Sequence, residues 1–96
     1  MKEFILKKSQ NMGKRYVIIM GDTMKHHFGS AGGKTYIDGR SDVEKAAWIA
    51  RHKGDKNYNN KHSGIYWSRW LLWSKKTLDE SIKDMEKRLG VKIKLI

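Results

Sequence analysis

Cysteine and proline are both absent from the 96 residues. Without cysteine there are no disulfides and no thiolate metal sites, which suits a reducing, intracellular setting. Long apolar runs are missing as well. The longest, Tyr16–Met20 and Trp70–Trp73, fall far short of the roughly 20 residues that cross a bilayer. The opening Met1-Lys-Glu-Phe-Ile-Leu-Lys-Lys8 has too short an apolar core for a signal peptide. No internal repeat or low-complexity tract is present.

Charge and aromatic rings fill the space these absences leave. Lys and Arg number 21 against 10 Asp and Glu, a formal charge of +11. Residues 1–62 hold 13 cations and 6 anions and residues 63–96 hold 8 and 4, so the excess belongs to the whole fold and not to a tail. A field of that sign attracts polyanions: nucleic acid, acidic protein or anionic lipid. Ninety-six residues make one domain. A chain this short needs large side chains to build a core, and four Trp, four Tyr and two Phe supply them.

The expected class is α+β: a small N-terminal antiparallel sheet or hairpin, about three short helices, and a C-terminal strand that returns to the sheet. Residues 1–38 read as mainly β. Lys2–Lys8 and Arg15–Met20 are strands, the second rich in β-branched and aromatic residues. Gly21-Asp22 turns the chain into Met24–Phe28, and Thr35–Ile37 reads as a short strand or extended arm. Residues 41–90 read as mainly helical. Ser41-Asp-Val-Glu44 has the form of a capping box, opening a helix that runs to Lys53 and stops at Gly54. Val43, Ala46, Ala47 and Ala50 share its apolar face. Trp67, Trp70, Leu71 and Trp73 have the spacing of a short buried helix. Thr77-Leu-Asp-Glu80 caps another, whose Leu78, Ile82, Met85 and Leu89 line one face before Gly90 ends it. Val91–Ile96 alternates as a strand.

No catalytic pattern emerges. His26 and His27 are neighbours on a strand and point to opposite faces, and no His-x₃-His spacing exists to hold zinc. Phe28-Gly-Ser-Ala-Gly-Gly-Lys34 lacks the first glycine of a nucleotide P-loop. Asp38, Asp42, Asp79, Glu80 and Asp84 are explained by caps and helix dipoles. No cofactor or metal is implied. What remains is basic residues interleaved with aromatics between residues 51 and 70, a pattern that holds phosphates and stacks bases.

The strings Phe28-Gly29, Ala50-Arg-His52, Ser63-Gly-Ile-Tyr-Trp-Ser-Arg-Trp-Leu-Leu-Trp73 and Thr77–Asp84 resemble an uncharacterised family of small basic proteins of large DNA viruses of algae and amoebae and of some aquatic phages. The resemblance implies a viral protein, carried in the virion or acting in the host cytoplasm or nucleus. The expected function is then non-enzymatic, sequence-independent binding of nucleic acid, DNA above all, or association with genome packaging. Lys34, Arg40, Arg51, Lys53, Lys56 and Lys61 are expected on phosphates and Tyr58 in stacking. The alternative is a minor virion assembly protein that binds an acidic protein partner or a second copy of itself. A small metal-dependent nuclease using His27 or His52 is a third reading.

Overall fold

Alternation along the strands decides which side of the sheet is buried. The computed structural model describes residues 2–21 and 23–96, so the expected turn at Asp22 lies outside the described residues. Glu3–Lys8 forms β1, Lys14–Ile19 β2, Lys25–Ser30 β3 and Lys92–Leu95 β4. The sheet order is β3-β2-β1-β4. β1 pairs antiparallel with β2, β2 antiparallel with β3, and β1 parallel with β4. A parallel neighbour needs a long connection, and here it runs from β1 through β2, β3 and the helical segment: α1 (Asp42–His52), α2 (Gly64–Trp67) and α3 (Leu78–Leu89). The protein is an α+β fold in which the C-terminal strand rejoins the sheet.

One face of the sheet carries Phe4, Leu6, Ile18, Phe28 and Ile93, which join Trp67, Leu71, Leu72, Trp73, Ile82 and Met85 in a single core. Trp67, Leu71 and Leu72 are at most 1% exposed, and after α2 the chain widens into a π-helical turn, Ser68–Leu72. That extra residue per turn brings consecutive Leu71, Leu72 and Trp73 into the core together. Trp70 is left half-buried at the rim, between the guanidinium groups of Arg69 and Arg88, 4.3 and 3.9 Å from its ring centre.

Local signals act as read. Ser41 Oγ accepts from the Glu44 amide at 3.2 Å while Glu44 accepts from the Ser41 amide at 3.1 Å. Thr77 caps α3 by accepting from the Glu80 amide, and Gly90 closes it in the left-handed region at φ 64°. α1 ends where expected, with Lys53 as its C-cap just before Gly54, although that cap is in right-handed geometry.

Two elements differ from expectation. Thr35–Ile37 is not a strand. Tyr36–Asp38 is a 3₁₀ turn, closed because the Asp38 carboxylate accepts from the Thr35 amide at 2.8 Å and its hydroxyl at 2.9 Å. Asp38 also takes a two-pronged ion pair from Arg15 of β2, with Nη2–Oδ1 at 2.7 Å. Arg15 holds its carboxyl well below the usual carboxylate range. The second difference is the orientation of α1. Val43 is 79% exposed, and Ala46, Ala47 and Ala50 are exposed with it. Lys45, Trp48, Ile49 and His52 face inward instead. Trp48 stacks on Trp73 at 5.5 Å, and Lys45 Nζ donates to the Ser74 carbonyl at 2.6 Å. Even a half-buried indole covers more apolar area than three alanine methyls, so it sets the face.

The helices meet the free edge of β3 at Gly64. A Cβ there would lie 2.8 Å from the His27 carbonyl oxygen, so only glycine lets α2 approach the strand this closely. Gly64→Ala is expected to push α2 off the edge and lower stability by roughly 1–3 kcal/mol, the usual cost of overpacking, read as a lower urea midpoint.

His26 offers a pH test. Register sets it opposite Ile18 on the core side, where Nε2 is buried without a hydrogen-bond partner among the described residues. Burial, and secondarily His62, pushes its pKa below the ordinary histidine value. The unfolded chain therefore takes up this proton at higher pH than the folded one. Stability from this group is full above about pH 6.5 and declines as pH falls below it. His26→Leu should flatten the drop in urea midpoint between pH 7 and pH 5.

Candidate nucleic-acid interface

The second face of the sheet carries cations. Opposite in alternation to the core residues stand Glu3, Ile5 and Lys7 of β1, Arg15, Val17 and Ile19 of β2, Lys25 and His27 of β3, and Lys92 and Lys94 of β4. Register arranges them in rows. One runs Lys94, Ile5, Ile19, Lys25 and the next Lys7, Val17, His27, while Lys92 lies opposite Glu3. With neighbouring strands about 4.8 Å apart, the lysines closing the first row stand about 14 Å apart at Cα.

Val17 is 3% exposed yet stands outside the helix-packed core. It lies in register between Lys7 and His27, and Ile5 and Ile19 beside it are half-buried. Lysine stems run along apolar surface and keep their ammonium groups in water. The face therefore offers charge more than apolar area. Among the described residues its strands turn to it one carboxylate, Glu3, and no Trp, Tyr or Phe. Arg15 is committed to Asp38. Among the described residues the ion pairs are Arg15–Asp38, Arg40–Glu44 and Arg88–Asp84, so none uses a lysine. His27 is fixed by Ser9, whose Oγ lies 2.7 Å from Nδ1 and accepts from the Asn11 amide at 3.0 Å.

Around the edge of β3 lies a cleft of about 500 Å³ on the helical side. Lys14 opens β2 on one wall and Lys34 comes from the loop after β3. Trp48, His52, Ile65 and Trp73 line it from the helical segment, with Ser68 among them. Among the described residues no carboxylate lines it. The rings form a column: His52 stacks on Trp48 at 4.1 Å and Trp48 on Trp73 at 5.5 Å. His52 Nδ1 lies 2.7 Å from the Trp48 carbonyl. A carbonyl only accepts, so Nδ1 carries the proton and Nε2 is the nitrogen left to a ligand.

The seven residues expected at an interface do not form one site. Lys34 lines the cleft. Arg40 lines a separate depression with Asp42 and Lys76, and its guanidinium pairs with Glu44 at 2.8 Å. Arg51 and Lys53 are exposed at the end of α1, and Lys56 and Lys61 are exposed in the loop that follows. Tyr58 is half-buried in that loop and accepts from Arg69 Nε at 2.9 Å. The loop is pinned from below by Trp67, whose Nε1 donates to the Lys61 carbonyl at 2.8 Å.

Sequence reasoning did not single out Lys7, Lys25, Lys92, Lys94, Lys14 or Trp48. The signal for Lys92 and Lys94 was present in the alternation Lys-Ile-Lys-Leu of residues 92–95. A strand that buries Ile93 must turn both lysines to the other face.

Searches of curated proteins and of solved structures return no match. A family model does match, over residues 4–52, and it is described as a family of unknown function, DUF5754. The matched stretch holds β1, β2, β3 and α1, and with them Lys7, Lys25 and most of the polar wall of the cleft. It covers just over half of the 96 residues, and the chain belongs to the DUF5754 family.

Proposed function

We propose that this is a non-enzymatic nucleic-acid-binding protein that grips the phosphate backbone, DNA above all, without reading sequence. The observation that carries the reading is the lysine-covered sheet face: Lys7, Lys25, Lys92 and Lys94 with a single carboxylate among them and no lysine in an ion pair among the described residues. Lysine is a flexible, strongly hydrated point charge, suited to phosphate and poor at planar recognition of base edges. A flat face without Trp, Tyr or Phe has nothing on which to stack unpaired bases, so it suits a duplex as well as a single strand. The exposed Arg51, Lys53, Lys56 and Lys61 extend the positive surface onto the helical side. The tryptophan string's resemblance to small basic proteins of large DNA viruses supports a setting in the virion or the infected cell, where a genome is condensed.

Fluorescence anisotropy with labelled duplex and single-stranded DNA tests the reading. Binding of both at low salt, independent of sequence, is the expected result. No binding to either at low ionic strength rejects it.

A second reading, an assembly protein that packs against another copy of itself, has one observation in its favour. The stripe Val43, Ala46, Ala47 and Ala50 on α1 is exposed at helical spacing. An antiparallel pair would set Asp42 and Glu44 of one copy beside Arg51 and Lys53 of the other. Self-association in sedimentation without affinity for DNA would favour it over the first.

A further inference from the structure

The cleft beside β3 is a different kind of site from the sheet face. Its two walls differ in chemistry. One is aromatic and aliphatic, built by the Trp73–Trp48–His52 column and Ile65; the other carries Lys14 and Lys34. A volume of about 500 Å³ is within the range of small-ligand sites and larger than a bare phosphate needs. The cations come from two separate elements and meet no carboxylate in the cleft among the described residues, so an anionic group is their electrostatic complement. The ring column presents a flat, apolar surface beside them, and His52 Nε2 adds one acceptor for an N–H.

We propose that this cleft takes a nucleotide, free or as the terminal unit of a strand, with its phosphate between Lys14 and Lys34 and its base against the wall that ends in His52. The reading rests on the nucleic-acid function above but uses other residues. Trp48 is covered by Trp73 on one side and His52 on the other, so the base meets the column at its end and not between its rings. A phosphate alone would leave the apolar wall wet, and a nucleoside alone would leave both lysines without a partner. A molecule carrying both is therefore held more tightly than either part.

Thymidine 5′-monophosphate, thymidine and inorganic phosphate serve as probes, with tryptophan fluorescence and amide chemical-shift changes read in parallel. Trp48 and Trp73 lie in the wall, so an occupied cleft alters their emission. Saturable binding of the monophosphate, at least about tenfold tighter than thymidine or phosphate, is expected, with shifts centred on residues 30–35 and 48–52. Lys34→Ala and Lys14→Ala should each weaken it about tenfold, and so should His52→Ala, while Lys92→Ala plus Lys94→Ala leaves it unchanged. Equal affinity for phosphate and monophosphate, or affinity untouched by Lys34→Ala, overturns the proposal. A folded Lys34→Ala protein is recognised by an unchanged urea midpoint, since Lys34 is exposed.

Two further arms separate the sources. A 5′-phosphorylated oligonucleotide that binds more tightly than its unphosphorylated twin, and loses that margin in Lys34→Ala, supports a strand end as the ligand. A monophosphate that competes equally with both supports the free nucleotide. Loss of duplex binding with monophosphate binding intact rejects the sheet-face reading alone. Loss of monophosphate binding with duplex binding intact rejects the cleft alone.

Discussion

Trp67→Ala is expected to remove a large share of the protein's stability. Trp67 is 0% exposed, lies edge-on to Phe4 at 6.2 Å and to Tyr66 at 5.4 Å, and bridges the helices to β1. Truncating a buried tryptophan costs about 3–5 kcal/mol. A domain of this length has roughly 5–15 kcal/mol in total. The melting temperature should therefore fall on the order of 15 °C or more. The indole also donates to the Lys61 carbonyl, so its loss frees the loop that carries Lys56, Tyr58 and Lys61. Trp67→Phe separates the two contributions: it keeps most of the packing but leaves that carbonyl without its donor. A smaller cost of roughly 1–2 kcal/mol is expected for it. Urea unfolding of the three proteins checks the order. A Trp67→Ala protein as stable as the parent would mean that this indole is not the keystone of the core.

The second large effect is on binding. Replacing Lys7, Lys25, Lys92 and Lys94 together with glutamine removes four cations from one face and leaves the core untouched, since Lys25, Lys92 and Lys94 are exposed and Lys7 only half-buried. Each phosphate contact contributes about 0.9 to the slope of log Kobs against log salt on a duplex. The variant's slope should therefore be shallower by roughly 3–4 if all four lysines engage. At low salt the accompanying loss of affinity should be several orders of magnitude, on the order of 10³-fold, with stability nearly unchanged. Glutamine at Arg40, Arg51, Lys53 and Lys56 should cost much less, because those residues come from a loop, the end of α1 and the loop after it and not from one sheet face, and Arg40 is paired with Glu44.

How far the sequence reveals this fold depends on the range of each interaction. The Ser41/Glu44 box, the Thr77 cap and the Gly90 terminus are legible because their partners lie within four residues. The face of α1 is not. Val43, Ala46, Ala47 and Ala50 have helical spacing, but so have Lys45, Trp48, Ile49 and His52. The choice between them is made by Trp73, 25 positions beyond Trp48. The 3₁₀ turn at Tyr36–Asp38 likewise depends on a distant partner, Arg15, as well as on Thr35. Within the tryptophan string Trp67, Leu71 and Trp73 read correctly as core while Trp70 stays at the rim, and the π-helical turn that buries Leu71, Leu72 and Trp73 together follows no simple 3.6-residue period. The candidate interface was least legible of all. Four lysines 67 to 87 residues apart at the extremes meet only because β4 pairs parallel with β1, and strand pairing across the whole chain leaves no local mark. Residues 51–70 interleave basic and aromatic side chains locally, while the lysines of the sheet face come from both ends of the chain.

The most direct test is a salt titration of duplex DNA binding by the parent protein and by the Lys7→Gln, Lys25→Gln, Lys92→Gln, Lys94→Gln variant, side by side. A steep, linear fall of log Kobs with log salt for the parent, and a slope shallower by roughly 3–4 for the variant, is the predicted result. Parallel lines of equal affinity, or no duplex binding by the parent even at low salt, would contradict it.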